Sequence, residues 1–122
     1  MNINIKTTSI ELTADLKAYV EKRVESLSKI IDISHPTAVI RVEVGKTTEH
    51  HRSGDIYRAE FHVRVEGVEY YASSERDELY TAIDETRDEL LRQARKKKGR
   101  MHDLFERGAR SLKKRLKGIK PW

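Results

Sequence analysis

Residues 57–72, with the sequence YRAEFHVRVEGVEYYA, decide the fold of this chain. Apolar and polar side chains alternate on both sides of the Glu66-Gly67 pair, which predicts two half-buried strands joined by a tight turn. Because every second position is polar, this part of the sheet is expected to be covered on one face only. The positions expected to face the core are Tyr57, Ala59, Phe61, Val63, Val65, Val68, Tyr70 and Ala72.

Two more strands are predicted upstream of this hairpin. Residues 38–44 alternate in the same manner, and residues 2–8 alternate around Ile3 and Ile5. Both patterns are typical of half-buried strands. The polar segment 46–54 predicts a loop that leads into the hairpin.

A helix is predicted between the first two strands. Thr13 is a typical N-cap, and Asp15 follows in the first turn, where a carboxylate interacts favourably with the helix dipole. Apolar residues then recur at three- and four-residue steps, the spacing of one helical stripe. This stripe consists of Leu16, Val20, Val24, Leu27 and Ile31. His35-Pro36 ends any helix, because proline disfavours helical geometry in the residue before it.

A second helix is predicted after the hairpin. Ser74 is expected to cap it, with Asp77 three residues on as a variant of the capping box. Its inner stripe is Leu79, Ile83, Thr86, Leu90 and Ala94. The order of elements therefore predicts an α+β fold, a β-α-β-β-β-α sandwich in which two helices pack on one face of a four-stranded sheet.

Positive charge is concentrated at the end of the chain. Residues 87–122 contain fourteen Lys or Arg and four Asp or Glu, whereas residues 1–86 contain eleven and sixteen. The length predicts one folded domain, residues 1–100, followed by a basic and flexible tail at residues 101–122. A weakly acidic body with a cationic end predicts a polyanionic partner.

The densest group of cations lies at the end of the second predicted helix. Arg92, Arg95 and Lys96 share one exposed face by the i, i+3, i+4 rule. Lys97 falls near the buried side, so the helix is expected to end or fray there. Cations at a helix C-terminus complement its dipole, but that effect accounts for only two or three of these residues. The group therefore predicts a surface for phosphates, made of Arg92, Arg95, Lys96, Lys97, Lys98 and Arg100.

Few residues indicate chemistry of another kind. The chain has no cysteine, which excludes a thiolate zinc site, and it has no P-loop or nucleophile motif. The His50-His51 pair lacks a third ligand and predicts a solvated loop. We therefore expect no enzyme activity, no metal, no cofactor and no small-molecule substrate. No signal peptide or membrane span is apparent, so a cytoplasmic protein is expected.

Two side chains on the polar face of the predicted sheet leave alternatives open. Tyr71 points away from the core, where it either stacks on a base or simply lies exposed. His62 lies on the same face, where it either contacts RNA or faces solvent.

Both predicted helices resemble those of a known family. The second helix carries Asp77–Asp84 (DELYTAID) and Leu90–Gln93 (LLRQ), followed by the basic run to Arg100, and the first carries Leu12–Val20 (LTADLKAYV). On these residues the chain resembles the ribosome hibernation promoting factors, also called ribosome-associated inhibitor A or sigma-54 modulation proteins. Its length resembles that of a short form.

The resemblance implies a protein that binds the small ribosomal subunit between head and body. There it occupies the decoding channel and blocks tRNA and mRNA, without a cofactor or a reaction. We expect a monomer off the ribosome. The family's rRNA-binding positions are basic residues of both helices, and Lys97 is added from the basic group. The predicted rRNA-binding residues are Lys17, Arg23, Arg92, Arg95, Lys96, Lys97, Lys98 and Arg100.

One departure and one alternative accompany this prediction. Glu89 stands where the family often has a lysine, which removes one expected phosphate contact. The alternative is a general double-stranded RNA-binding module, which uses cations at the start of its last helix. Here that region, residues 74–78, is mostly acidic, which disfavours the alternative.

Overall fold

The computed structural model of the protein describes residues 2–47 and 54–118, and only the backbone of residues 109–118. The predicted loop at His50-His51 and the last four residues of the predicted tail lie outside the described residues. The elements are β1 (Ile3–Thr8), α1 (Ala14–Glu25), a 3₁₀-helix (Ser26–Lys29), β2 (Val39–Lys46), β3 (Tyr57–Val65), β4 (Val68–Arg76) and α2 (Leu79–Gly118).

The four strands form one sheet in the order β1-β2-β3-β4. β1 is parallel to β2, with α1 in the crossover between them, and the other two pairs are antiparallel. The predicted hairpin turn is confirmed, because Glu66 and Gly67 both have positive φ angles, of 51° and 78°. The predicted β-α-β-β-β-α sandwich is likewise confirmed.

The core lies between the inner face of the sheet and the two helices. Phe61 stands opposite Val42 on one side and Ala72 on the other, and all three are buried. The predicted inner positions of the hairpin are buried, except that Tyr57 and Val68 are half-buried. The one buried polar residue of the described chain is Thr86, whose hydroxyl donates to the carbonyl oxygen of Ala82 at 2.7 Å.

The first helix begins where the sequence predicts and ends earlier. Thr13 caps α1, since its side-chain oxygen accepts a hydrogen bond from the backbone N–H of Leu16 at 3.1 Å. The α-helix stops at Glu25, so Leu27 lies in the 3₁₀-helix and Ile31 lies beyond it. All five residues of the predicted stripe are nevertheless buried.

The predicted N-cap of the second helix is wrong. Ser74 lies within β4, where it pairs with Ala59. The turn fixes the register of the hairpin, so β3 residues as far back as Tyr57 take partners on β4, which therefore runs to Arg76. The helix starts only at Leu79.

The predicted end of the second helix is also wrong. α2 does not end or fray at Lys97 but continues to Gly118 and spans 40 residues. The residues after Lys97 are largely good helix formers, and a single glycine such as Gly108 costs only about 1 kcal/mol in a helix. Residues 101–108 are all exposed.

Gly45 provides a test of the close approach between β1 and β2. A Cβ at this position would lie 2.2 Å from the backbone carbonyl oxygen of Thr8, its register partner. We expect Gly45→Ala to lower the free energy of unfolding by about 1–3 kcal/mol, because the strands must shift to admit the methyl group. Urea denaturation measures this.

Gly99→Ala is the matched control. Gly99 lies in α2 with open space around it. The same substitution there should raise the free energy of unfolding by about 0.5–1 kcal/mol, because alanine is the better helix former. Equal stability of Gly45→Ala and the parent protein would contradict the strand geometry.

Candidate nucleic-acid interface

The basic residues of α2 lie in the middle of the helix and face outward. Burial of Ile83, Leu90 and Ala94 against the sheet turns Arg95 and Lys96 toward solvent. The helix ends at Gly118, about five turns past Arg100. The dipole effect falls off within the last turn, so it does not account for cations at this position.

Three of these cations form no ion pair with any described residue. They are Arg95, Lys96 and Arg100, and all three are exposed. Cations without an internal partner keep their full charge available for a ligand.

Lys97 and Lys98 contact the body of the protein. The ammonium group of Lys97 donates to the carbonyl oxygen of Glu69 and lies 5.1 Å from the ring centroid of Tyr70. That of Lys98 donates to the carbonyl oxygen of Ile30. Both side chains therefore fold down onto the body and hold α2 to it. This placement agrees with the predicted position of Lys97 near the buried side, and it explains how the helix continues past it.

Arg92 is exposed but is already paired. Its Nη2 and Nε atoms donate to one carboxylate oxygen of Glu89, at 2.6 and 3.0 Å. An exposed pair of this kind contributes little to stability, so it can exchange for a phosphate at low cost. Arg92 can therefore contact a phosphate only when it leaves Glu89.

Arg23 of α1 belongs to a polar cluster that joins the two helices. The Tyr19 hydroxyl donates to Asp84 Oδ1 at 2.7 Å and accepts from Arg23 Nη2 at 2.9 Å. Arg23 Nε lies 2.7 Å from the same Asp84 oxygen, but its N–H has no hydrogen-bond partner, so this contact is one of charge. The Tyr19 ring meets that of Tyr80 edge to face, with centroids 4.5 Å apart.

The cluster shifts the acid–base properties of its members. Burial raises the pKa of Tyr19 above its ordinary value, and the hydrogen bond to Asp84 raises it further. The hydrogen bond to Tyr19 raises the pKa of Arg23, and the charge of Asp84 acts in the same direction. Arg23 therefore stays cationic, with its charge directed at α2 rather than at solvent alone.

Lys17 is exposed but lies far along the structure from the α2 cations. It precedes Tyr19, which contacts Tyr80 at the start of α2. Arg95 lies about 22 Å further along the helix axis, at 1.5 Å per residue. The structure therefore gathers the predicted α2 residues into one region but does not bring Lys17 or Arg23 into it.

Sequence reasoning misses the residues that position the cations. From the sequence, Asp84 and Glu89 are expected to be solvated and to pair along the helix. Glu89 does pair along the helix, with Arg92, whereas Asp84 contacts Arg23 of α1. Arg87 also escapes prediction, and it links the helices by donating to the Ser26 hydroxyl at 3.0 Å. Partners this far apart in sequence leave no periodic signal.

Two other kinds of site are absent from the described ranges. These ranges contain no group of three or more acidic, histidine or cysteine side chains able to hold a metal ion. None of their helices is both long and apolar enough to cross a bilayer.

Comparisons with known proteins agree with this description. The model of the family described as sigma 54 modulation protein / S30EA ribosomal protein matches residues 3–102. A relative from Escherichia coli (strain K12), named ribosome hibernation promoting factor, is 30% identical over 102 residues, which cover 83% of this chain and 97% of the relative. A relative of the same name from Pseudomonas putida is 29% identical over 109 residues, covering 89% and 98%.

Solved structures show the same architecture. The Protein Y N-terminal domain of Thermus thermophilus superposes with a TM-score of 0.64 at 27% identity, covering 79% of this chain and 98% of that domain. A ribosomal subunit interface protein from Coxiella burnetii superposes with a TM-score of 0.62 at 19% identity, covering 81% and 99%, and supports the fold alone.

A double-mutant cycle tests the cluster between the helices. Tyr19→Phe and Asp84→Asn should each lower the free energy of unfolding by about 0.5–1.5 kcal/mol, because the first removes a partly buried hydrogen bond and the second replaces its charged acceptor with a neutral one. Since both act on the same bond, the double variant should lose less than the sum, with a coupling of about 0.5–1 kcal/mol. Urea denaturation of the four proteins provides the measurement.

Tyr80→Phe serves as the control for this cycle. It keeps the ring that packs on Tyr19 and removes a hydroxyl with no bond to Asp84. Its effect should add to that of Asp84→Asn. Additivity of Tyr19→Phe with Asp84→Asn would contradict the hydrogen bond.

Proposed function

The chain belongs to the sigma 54 modulation protein / S30EA ribosomal protein family, and we propose that it binds the small ribosomal subunit in the decoding channel. By occupying that channel it blocks tRNA and mRNA and silences idle ribosomes. The family consists of ribosome-binding proteins without enzyme activity. We infer that the protein acts in the cytoplasm, as a monomer when it is off the ribosome.

The observation that carries this proposal is the group of cations in the middle of α2 that pair with no described residue. Arg95, Lys96 and Arg100 face solvent from a helix whose inner side is fixed against the sheet. A rigid row of cations suits the regularly spaced phosphates of folded RNA, which it can grip without reading the sequence. The name of the relatives adds the ribosome as the source of that RNA.

We order the residues proposed to contact rRNA by the contacts that their side chains already make within the protein. Arg95, Lys96 and Arg100 make the first contacts, and Arg92 joins them when it leaves Glu89. Lys97 and Lys98 act mainly by holding α2 in place. Lys17 and Arg23 form a separate contact region on α1, proposed to meet a different rRNA segment because of the distance between the two regions.

The alternative of a general double-stranded RNA-binding module has weak support. In the structure, residues 75–76 close β4 and residues 77–78 precede α2. Three of these four residues are acidic, so the start of the last helix repels phosphates. The cations lie further along the helix instead.

Charge reversal in α2 tests the proposed binding surface. Arg95→Glu combined with Lys96→Glu should weaken binding to small subunits at least about tenfold, because two attractions to phosphates become repulsions. The slope of log affinity against log salt should fall by about 0.7–0.9 for each phosphate that is no longer neutralised. Sedimentation with purified subunits at several salt concentrations measures both.

The matched control reverses two cations outside the proposed surface. Lys22→Glu combined with Lys29→Glu makes the same change in net charge at two exposed positions. It should leave affinity and salt slope close to those of the parent protein. Equal losses of affinity in both double variants would show that binding depends only on net charge. The assignment of the binding surface to Arg95 and Lys96 would then be wrong.

Release of Arg92 provides the opposite test. Glu89→Gln removes the carboxylate that pairs with Arg92 at 2.6 Å, so the guanidinium becomes available to a phosphate. We expect binding to small subunits to tighten about two- to tenfold, the effect of roughly one added phosphate contact. Glu25→Gln, an equal charge change at another exposed position, should have a smaller effect. If Glu89→Gln tightens binding no more than Glu25→Gln does, the proposed phosphate contact of Arg92 is contradicted.

Truncation after the proposed ribosome-binding domain, which comprises residues 1–100, provides a further test. We propose that residues 101–122 are a separable basic segment that adds affinity without setting the site. A chain that ends at Arg100 should bind small subunits more weakly and with a lower salt slope, yet should still compete with tRNA. Loss of competition with retained binding would assign the inhibition to this segment instead.

A further inference from the structure

The face of the sheet opposite the helices carries an aromatic and basic row that the proposed function does not use. Asn4, Arg41, His62 and Tyr71 are successive register partners, so they form one line across all four strands. We call this line the open-face row. A shallow depression runs along it, with Lys6 at its edge. The row lies on the outer face, so the contact proposed for the helices leaves it free.

Tyr71 is held in place although it is half exposed. Interaction with the Tyr71 hydroxyl is the main cause that raises the pKa of Arg58 above its ordinary value. The Tyr71 ring meets that of His62 edge to face, with centroids 6.1 Å apart. With 47% of its surface exposed, Tyr71 presents a fixed aromatic platform to solvent.

Most carboxylates on this face already have partners. Arg58 pairs with Glu60 at 2.6 Å and with Glu75 at 3.7 Å. Glu43 accepts a hydrogen bond from the Thr8 hydroxyl at 3.1 Å. The Arg58 pairs offset part of the negative charge that the face presents to a ligand.

Three other cations of the same face have no acidic partner among the described residues. Lys6, Arg41 and Arg64 are exposed and form no ion pair with any described residue. Arg41 belongs to the open-face row, and Arg64 follows His62 by two residues on the same face of β3. Unpaired cations therefore flank the aromatic platform.

We propose that the open face binds single-stranded RNA, with one unpaired base stacked on Tyr71 and the neighbouring phosphates on Arg41 and Arg64. An aromatic side chain on an exposed sheet with flanking cations is the arrangement that binds unstacked bases. Duplex RNA keeps its bases inside and cannot use the Tyr71 ring. The inference stands apart from the proposed function, which concerns the helices on the other face.

A protein partner fits this face less well. The core of a protein interface requires several large apolar side chains in contact. In the described chain, Val39 and Tyr71 are the only large apolar residues that are exposed on this face. The charged side chains between them favour a polar ligand over an apolar one.

The experiment uses the full chain and a fluorescently labelled adenosine oligonucleotide of about eight nucleotides, a typical site size for single-stranded binding. Tyr71→Thr should weaken the binding measured by anisotropy at least about fivefold, because stacking on an aromatic side chain contributes that much or more for each base. Tyr71→Phe keeps the ring and should stay near the parent affinity. Threonine suits a strand, and thermal melts verify the fold of both variants.

A second variant keeps the test independent of Tyr71. Arg41→Gln combined with Arg64→Gln should lower the salt slope for the oligonucleotide by about 0.7 for each phosphate that is no longer neutralised. Arg95→Glu with Lys96→Glu should change this binding much less than it changes binding to small subunits.

Three results would overturn the proposal. One is unchanged oligonucleotide binding by folded Tyr71→Thr. Another is loss of this binding only when the α2 cations are reversed. The last is a Tyr71→Thr variant that loses ribosome binding but keeps the oligonucleotide, which would indicate a protein contact. None of these removes the proposed function, which fails if the parent protein binds the oligonucleotide but not small subunits.

Discussion

The packing of α2 against the inner face of the β3–β4 hairpin is the interaction on which the rest of the structure depends. Ile83, Leu90 and Ala94 are fully buried there, and Thr86 donates across the interface toward the carbonyl oxygen of Ala59 at 3.3 Å. This packing fixes the rotation of the helix about its axis. With this rotation Arg95 and Lys96 face solvent. A core interaction therefore determines where the positive charge of α2 is exposed.

The cations discussed above fall into three groups according to the contacts that their side chains make. Lys97 and Lys98 contact backbone carbonyl groups and belong to the fold. Arg23 and Arg92 are paired with carboxylates, and their charge reaches a ligand only if those pairs exchange. Arg95, Lys96 and Arg100 pair with no described residue, so their charge is available to a ligand without the loss of an internal contact. A count of basic residues in the sequence treats all of these alike, whereas the structure assigns them different energetic roles.

Much of the fold follows from local patterns. The alternation around Glu66-Gly67 predicts the hairpin because register and turn act on adjacent residues, and Thr13 predicts its helix start for the same reason. Ser74 fails as a predicted cap because the strand ladder with β3 outweighs a local capping preference. The continuation of α2 past Lys97 is not predicted, because a helical wheel places that lysine inward without showing that its long chain can reach over Tyr70 to a carbonyl group.

The candidate site was predictable in part. The outward face of α2 follows from periodicity, so Arg95 and Lys96 could be named from the sequence. The link from Arg23 to Asp84 joins residues on different helices, and no spacing rule predicts such a contact. The open-face row is a similar case, because its members come from four strands and meet only through the sheet register.

Two nucleic-acid-binding faces are proposed on opposite sides of one sheet. In this proposal the α2 cations bind folded rRNA, and Tyr71 on the other face stacks on an unpaired base. A molecule built in this way suits a channel with RNA on more than one wall. Both proposed faces therefore fit a position of the protein within the decoding channel of the small subunit, which is the central claim.

Site-directed cleavage of rRNA tests this claim most directly. The chain has no cysteine, so Gly99→Cys, at an exposed position with open space around it, introduces a unique attachment point for a hydroxyl-radical source. We predict cleavage of small-subunit rRNA that lines the tRNA and mRNA channel, and disappearance of that cleavage when tRNA is added. Cleavage confined to rRNA outside the channel, or unaffected by tRNA, would contradict the claim.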